Sequence, residues 1–221
     1  MTTVFEDYRY DVEKCVGCKG CYWVDLIYVP GPDFAERCPS AFKHKFDTYL
    51  AFGKGKVGLG LLDGALQYSP TVLDIIYKCN LCGACDVGCK RNLDLEPLLM
   101  LEGLRGKVVK DGAGPLPEHR KMAENLAKSN NTLGADHIKR LDWMPEQARV
   151  VDKADVVYYP DDATSFVHPE IGRALVTILS ALGEPFMVPP AENWSSGAHS
   201  YEVGMQDEAT RIAKRNVDWM R

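Results

Sequence analysis

Eight cysteines lie within the first 89 residues of this 221-residue chain, and the 132 residues that follow have none. They fall into two runs. The first is Cys15-Val-Gly-Cys18-Lys-Gly-Cys21, followed by Cys38-Pro39; the second is Cys79-Asn-Leu-Cys82-Gly-Ala-Cys85-Asp-Val-Gly-Cys89. Two-residue gaps let successive thiolates turn inward around one cubane, and the interspersed glycines let the backbone approach its sulfides. The second run has the complete C-x2-C-x2-C-x3-C spacing of bacterial ferredoxins, in which the fourth cysteine ligates the other cluster. The spacing therefore predicts two [4Fe-4S] clusters with crossed ligands. Cys15, Cys18, Cys21 and Cys89 are assigned to cluster 1, and Cys79, Cys82, Cys85 and Cys38 to cluster 2. The crossing would tie both clusters into one rigid unit at electron-hopping distance.

Other uses of cysteine fit less well. Zinc ribbons take two C-x2-C pairs per metal, not triplets, and here every C-x2-C sits inside a triplet, which also argues against a thioredoxin-like redox pair. A disulfide framework belongs to short secreted chains, whereas the polar, acidic start MTTVFEDYRYDVEKC has no secretory signal pattern. The expected compartment is the cytoplasm. The first run departs from the ferredoxin pattern in two ways. Sixteen residues separate Cys21 from Cys38, with Tyr22, Trp23 and a Pro30-Gly31-Pro32 turn among them, and Lys90 stands where a proline usually follows the last cysteine. Lys14, Lys19, Lys78, Lys90 and Arg91 flank the ligands, as either a solvated rim or a charge that tunes potential.

The formal charge is −5. Two oxidised four-thiolate clusters at about −2 each would bring it to around −9, which excludes sequence-independent nucleic-acid binding. No apolar run reaches membrane-spanning length, although association with a membrane-bound partner stays open. Three segments follow from composition: residues 1–105 hold the cysteines, 106–148 read as a connector, and 149–221 alternate strand and helix. Within the first, AFGKGKVGLGLLDG (51–64) reads as a flexible Gly-rich turn, because it lacks the GK[ST] of a phosphate loop and follows no convincing strand. Within the connector a helix is predicted over 117–128, stopped by Ser129-Asn130-Asn131. Beyond it come a strand ending in DVVYY (155–159), a helix with Ile171, Leu175, Ile178, Leu179 and Leu182 at helical spacing, and Gly183 as C-cap. A short strand EPFMVP (184–189) and a last helix (205–220) complete the pattern. The fold class is α+β: a helical two-[4Fe-4S] ferredoxin-like domain, then a partial α/β (βαβα) unit. Its sheet is too small to stand alone, so further strands are expected from a partner or from a longer natural chain.

The order of these segments resembles the heterodisulfide reductase family of iron–sulfur subunits. It is similar also to related subunits of anaerobic glycerol-3-phosphate and lactate oxidation and of class II aromatic acyl-CoA reductases. The resemblance rests on the second cysteine run, the connector ending Arg140-Leu-Asp-Trp143, the helix HPEIGRALVTIL (168–179) and the stretch ENWSSGAHSYEVG (192–204). It implies a dicluster domain followed by half of a Cys-Cys-Gly repeat, the element that holds a non-cubane cluster in the heterodisulfide reductases proper. Here Ser195-Ser196-Gly197 stands in place of Cys-Cys-Gly, and Asp161-Asp162 where the upstream cysteine falls. Serine and aspartate are poor ligands for an iron–sulfur centre, so no non-cubane cluster is expected.

No catalytic set emerges: His44, His119, His137, His168 and His199 are scattered and read as surface, capping or packing residues, with His168 expected to cap a helix. The resulting expectation is an electron-transfer subunit of a multi-subunit anaerobic oxidoreductase. It would relay electrons between a flavin- or quinone-linked partner and a catalytic subunit. The alternatives are a catalytic heterodisulfide reductase-like subunit with a substrate site near Asp161, Asp162, Ser195 and Ser196, and clusters that only staple the fold.

Overall fold

The computed structural model describes residues 3–24, 30–190 and 195–221. The chain folds as two compact units, Met1–Leu116 with Tyr201–Gln206 and Pro117–Ser200 with Asp207–Arg221. All eight cysteines lie in the first.

The first unit is helical: α1 (Arg9–Lys14), α2 (Pro39–His44), α3 (Ala51–Leu62), α4 (Pro70–Tyr77), α5 (Ala84–Asn92) and α6 (Pro97–Lys110). Prolines open α2, α4 and α6, where a missing N–H costs nothing and the fixed φ suits a first turn. Ser69 caps α4 by accepting the Val72 N–H at 3.2 Å. Phe5, Val12, Leu50, Ile76, Met100, Leu104 and Val108 form the centre of the core.

The stretch expected to be a flexible turn is instead α3, twelve residues long with four glycines. Packing overrides propensity here. A Cβ on Gly58 would strike the Phe5 ring and stand 2.9 Å from Leu104, and one on Gly55 would stand 2.7 Å from the Met100 sulfur. Four helical glycines cost about 4 kcal/mol relative to alanine. Close approach lets Phe5, Met100 and Leu104 be buried at ~1.5–3 kcal/mol each, so burial wins.

The second unit contains α7 (Pro117–Ser129), α8 (Asp162–Phe166) and α9 (Pro169–Leu182), and, across the chain positions it shares with the first, α10 (Ala198–Glu202) and α11 (Gln206–Met220). α7 stops at the predicted place, with Asn130 at φ 57°, and Gly183 closes α9 at φ 72°. The two expected strands meet only in single parallel bridges, Val150 with Phe186 and Val157 with Met187. Val151 N–H donates to Phe186 at 3.0 Å and Tyr158 N–H to Met187 at 2.8 Å. Among the described residues this pair gains no third strand, and it does not extend into a ladder.

The apolar stripe read from α9 is turned outward. Ile171, Leu175, Ile178 and Leu182 are exposed, while Gly172, Val176 and Leu179 face a small core of Trp143, Val176 and Phe186. Gly172 faces inward because the Trp143 indole lies directly over it. No helix among the described residues is long and apolar enough to cross a membrane.

Candidate metal centres

Each cysteine reaches its place through a local element. α1 delivers Cys15, whose N–H closes the helix on Asp11 O at 3.1 Å. The chain between Cys21 and Cys38 doubles back: Val24 N–H donates to Ala35 O and Arg37 N–H to Tyr22 O, both at 2.8 Å. An antiparallel bridge joins Trp23 and Glu36. The long gap is thus a closed excursion that returns Cys38 to the start of α2; its residues 25–29 lie outside the described residues. In the second run Cys79 and Cys82 sit on the loop before α5, which carries Cys85 and Cys89 one turn apart, a rise of about 6 Å.

Two cavities result. One is lined by Cys15, Cys18, Cys21 and Cys89 with Asp11, Val12, Phe52, Leu95 and Met100. The other is lined by Cys38, Cys79, Cys82 and Cys85 with Lys54, Tyr49, Leu81, Leu98 and Leu101. Each expected set of four therefore faces one cavity, and α5 serves both. The contact that brings the two runs together is made by backbone: a Cβ on Gly88 would collide with the Gly20 carbonyl. Glycine is required there for close approach.

The donor chemistry fits a polynuclear iron–sulfur group. Among the described residues no three His, Cys, Asp or Glu side chains converge closely enough for a single ion. Four soft sulfur donors spread round an apolar cavity suit a larger body that takes one thiolate at each corner. Burial pushes the Cys21, Cys85 and Cys89 thiols up, against backbone N–H groups near Cys21 and Cys89 that favour the thiolate. Iron would therefore displace protons on binding. Cys18 and Cys82 are exposed, one at each cavity.

Of the flanking cations noted in the sequence, the four lysines are surface groups with acidic or aromatic neighbours. Lys19 pairs with Asp47 at 3.0 Å, Lys78 with Asp74 at 3.4 Å and Lys90 with Glu96, and Lys14 stands 5.5 Å from the Tyr10 ring centre. The cations close to the cysteines and out of water are two others. Lys54, 1% exposed, lines the second cavity and donates to the Tyr49 carbonyl and to Ser40 Oγ at 3.3 Å. Burial pulls its ammonium below the usual lysine range, opposed by the sulfurs of Cys79 and Cys38. Buried Arg105 donates to the carbonyls of Cys79, Tyr77 and Glu202. The one signal in the sequence was Lys54's place among glycines, which became informative only once that stretch was seen to be a packed helix.

In the second unit Asp161, Asp162, Ser195 and Ser196 have structural partners. Asp161 caps α8 through Thr164 N–H at 2.7 Å. Asp162, buried, accepts from Arg140 at 2.9 Å and from both the N–H and hydroxyl of Thr132 at 2.9 Å. Ser195 N–H donates to Asn130 O, and its carbonyl accepts from Asn216. Ser196 Oγ accepts the Ala198 N–H at 3.3 Å. His168 stands at the N-cap of α9, yet its ring does not cap the helix; Nδ1 lies 3.0 Å from Glu170. Residues 192–194 of the ENWSSGAHSYEVG stretch lie outside the described residues.

Residues 11–93 match the model of the 4Fe-4S dicluster domain. Among curated proteins, the chain is 26% identical over 219 residues to a subunit of the dihydromethanophenazine:CoB–CoM heterodisulfide reductase of Methanosarcina barkeri, covering 94% of this chain and 52% of that one. It is 27% identical to the same component of the Methanosarcina mazei enzyme, over 67% of this chain and 36% of that one. It is 25% identical to a subunit of the fumarate reductase (CoM/CoB) of Methanothermobacter marburgensis, over 96% of this chain and 40% of that one. The chain thus spans about half the length of the first of these relatives, and less of the others. No solved structure matches it.

Proposed function

We propose that this chain, whose residues 11–93 match the 4Fe-4S dicluster domain and which is similar over most of its length to heterodisulfide reductase subunits, is an electron-transfer subunit of a larger redox complex of the heterodisulfide reductase-like kind. The observation that carries this reading is that each of two cavities is lined by four cysteines, with α5 contributing one to each. Cys15, Cys18, Cys21 and Cys89 would hold one [4Fe-4S] cluster, and Cys38, Cys79, Cys82 and Cys85 the other. Bound there, the two clusters would supply one-electron relay, which amino-acid side chains lack.

The residues of the chain ligate, exclude water and set the electrostatic surroundings. Val12, Phe52, Leu95 and Met100 keep the first cavity apolar, and Leu81, Leu98 and Leu101 the second. Exposed Cys18 and Cys82 mark where the protein skin over each site is thinnest, and these are the natural points of electron entry and exit. A flavin- or quinone-linked partner would donate on one side and a catalytic subunit accept on the other, in the cytoplasm. Residues 1–105 are assigned to the dicluster domain, 106–148 to a connector and 149–221 to a Cys-Cys-Gly-type α/β half-domain without its own cluster. Support for the last is the parallel bridging of the 150s to Phe186 and Met187, and the engagement of Asp162 by Arg140 and Thr132.

The test is the iron and sulfide content of anaerobically purified protein, with EPR after dithionite reduction. About eight irons with interacting cubane signals is the expected result. About four would mean that only one cavity is a cluster site, and the relay reading would fail.

A further inference from the structure

The two cavities differ in charge. Lys54 reaches the second from α3 with only 1% of its surface in water, and among the described residues no carboxylate pairs with it. Its hydrogen-bond partners are neutral, the Tyr49 carbonyl and the Ser40 hydroxyl. Arg105, 6% exposed, adds a second positive group behind Cys79, whose carbonyl it holds. The first cavity has the opposite bias. Asp11 is in its lining, with one oxygen accepting the Glu96 N–H at 2.8 Å. The one lysine there, Lys19, is half in solvent and paired with Asp47 at 3.0 Å.

A buried cation with no anion is costly. What can offset that cost at Lys54 is the negative charge of four thiolates and the group they bind. That charge grows by one when the group is reduced, so a fixed cation beside it favours the reduced state. We propose that Lys54 sets the two cluster sites apart in potential, making the site of Cys38, Cys79, Cys82 and Cys85 the easier of the two to reduce. Electrons entering at the Cys15, Cys18, Cys21 and Cys89 site would then run downhill to the second. This inference rests on the two-cluster reading above.

The experiment is an EPR-monitored redox titration of the full-length protein, with iron content measured on each sample, for wild type, Lys54→Met and Lys54→Arg. The affected signal is identified as the one that Cys82→Ser removes. The expected result is about eight irons in all three, and a roughly tenfold loss in the reduced-to-oxidised ratio of that one cluster in Lys54→Met. For a one-electron couple tenfold is about 59 mV. Lys54→Arg should stay near wild type. Loss of iron from the Met variant but not the Arg variant would also support the charge role. A fully loaded Met variant with unchanged potentials, a wild-type ordering in which that cluster is the harder to reduce, or equal shifts or equal iron loss in both variants would overturn it. Wild type with fewer than eight irons would instead sink the two-cluster reading itself.

Discussion

At the scale of single residues, the candidate site depends on what is absent as much as on the thiols. Gly88 has no side chain, so α5 can lie against the Gly20 carbonyl and carry Cys89 into the cavity of Cys15, Cys18 and Cys21. Gly88→Ala puts a methyl group into a backbone oxygen, and one of the two runs must move. We expect the alanine variant to fall from about eight irons to about four, with Cys85's cluster retained, as read by iron analysis and EPR. Retention of all eight would mean that the contact is not needed to place Cys89. Which cysteines line each cavity could be read from spacing, since in C-x2-C-x2-C-x3-C three cysteines turn round one body and the fourth reaches another. Lys54 could not. Its place among glycines is the one local difference from the lysines that face water, and its buried partners, the Tyr49 carbonyl and the Ser40 hydroxyl, lie on other segments.

At the scale of elements, two stretches with misleading local sequence show where pattern reading stops. Glycines in 51–64 signal a loop when read one at a time; they form a helix because Phe5, Met100 and Leu104, distant in sequence, need the room. On α9 the hydrophobic stripe and its helical period were legible, but not its direction. Gly172 and Val176 face inward because Trp143 fills the space above Gly172. By contrast, the stop of α7 at Ser129 and the glycine cap at Gly183 follow from local backbone chemistry and were legible. The inverted face gives a prediction. Val176→Ala should destabilise the second unit by about 2 kcal/mol through lost packing. Ile178→Ala, though larger in volume removed, should change stability by less than about 0.5 kcal/mol. Chemical denaturation of the two variants decides it, and the opposite ranking would mean that Ile178, not Val176, is the core residue.

At the scale of the whole molecule, every thiol belongs to one compact unit, while the other has its own core and its own buried ion pair between Arg140 and Asp162. Metal removal should therefore act unevenly. After anaerobic chelation of iron, amide exchange should accelerate in α1 and α2, which Cys15 and Cys38 flank, and in α5, which carries Cys85 and Cys89, and stay unchanged in α9. Uniform acceleration across both units would contradict this division. The interleaving of the two cysteine runs has a further consequence, in time rather than in space. On the ribosome Cys15, Cys18 and Cys21 emerge 68 residues before Cys89, and at about 5–20 residues per second that is roughly 3–14 s. During that interval three thiols of one set and Cys38 of the other wait without their partners. Neither cavity is fully lined until α5 has been made, so in the two-cluster reading insertion would follow the synthesis of α5, and cluster delivery would meet a nearly finished domain rather than a nascent one.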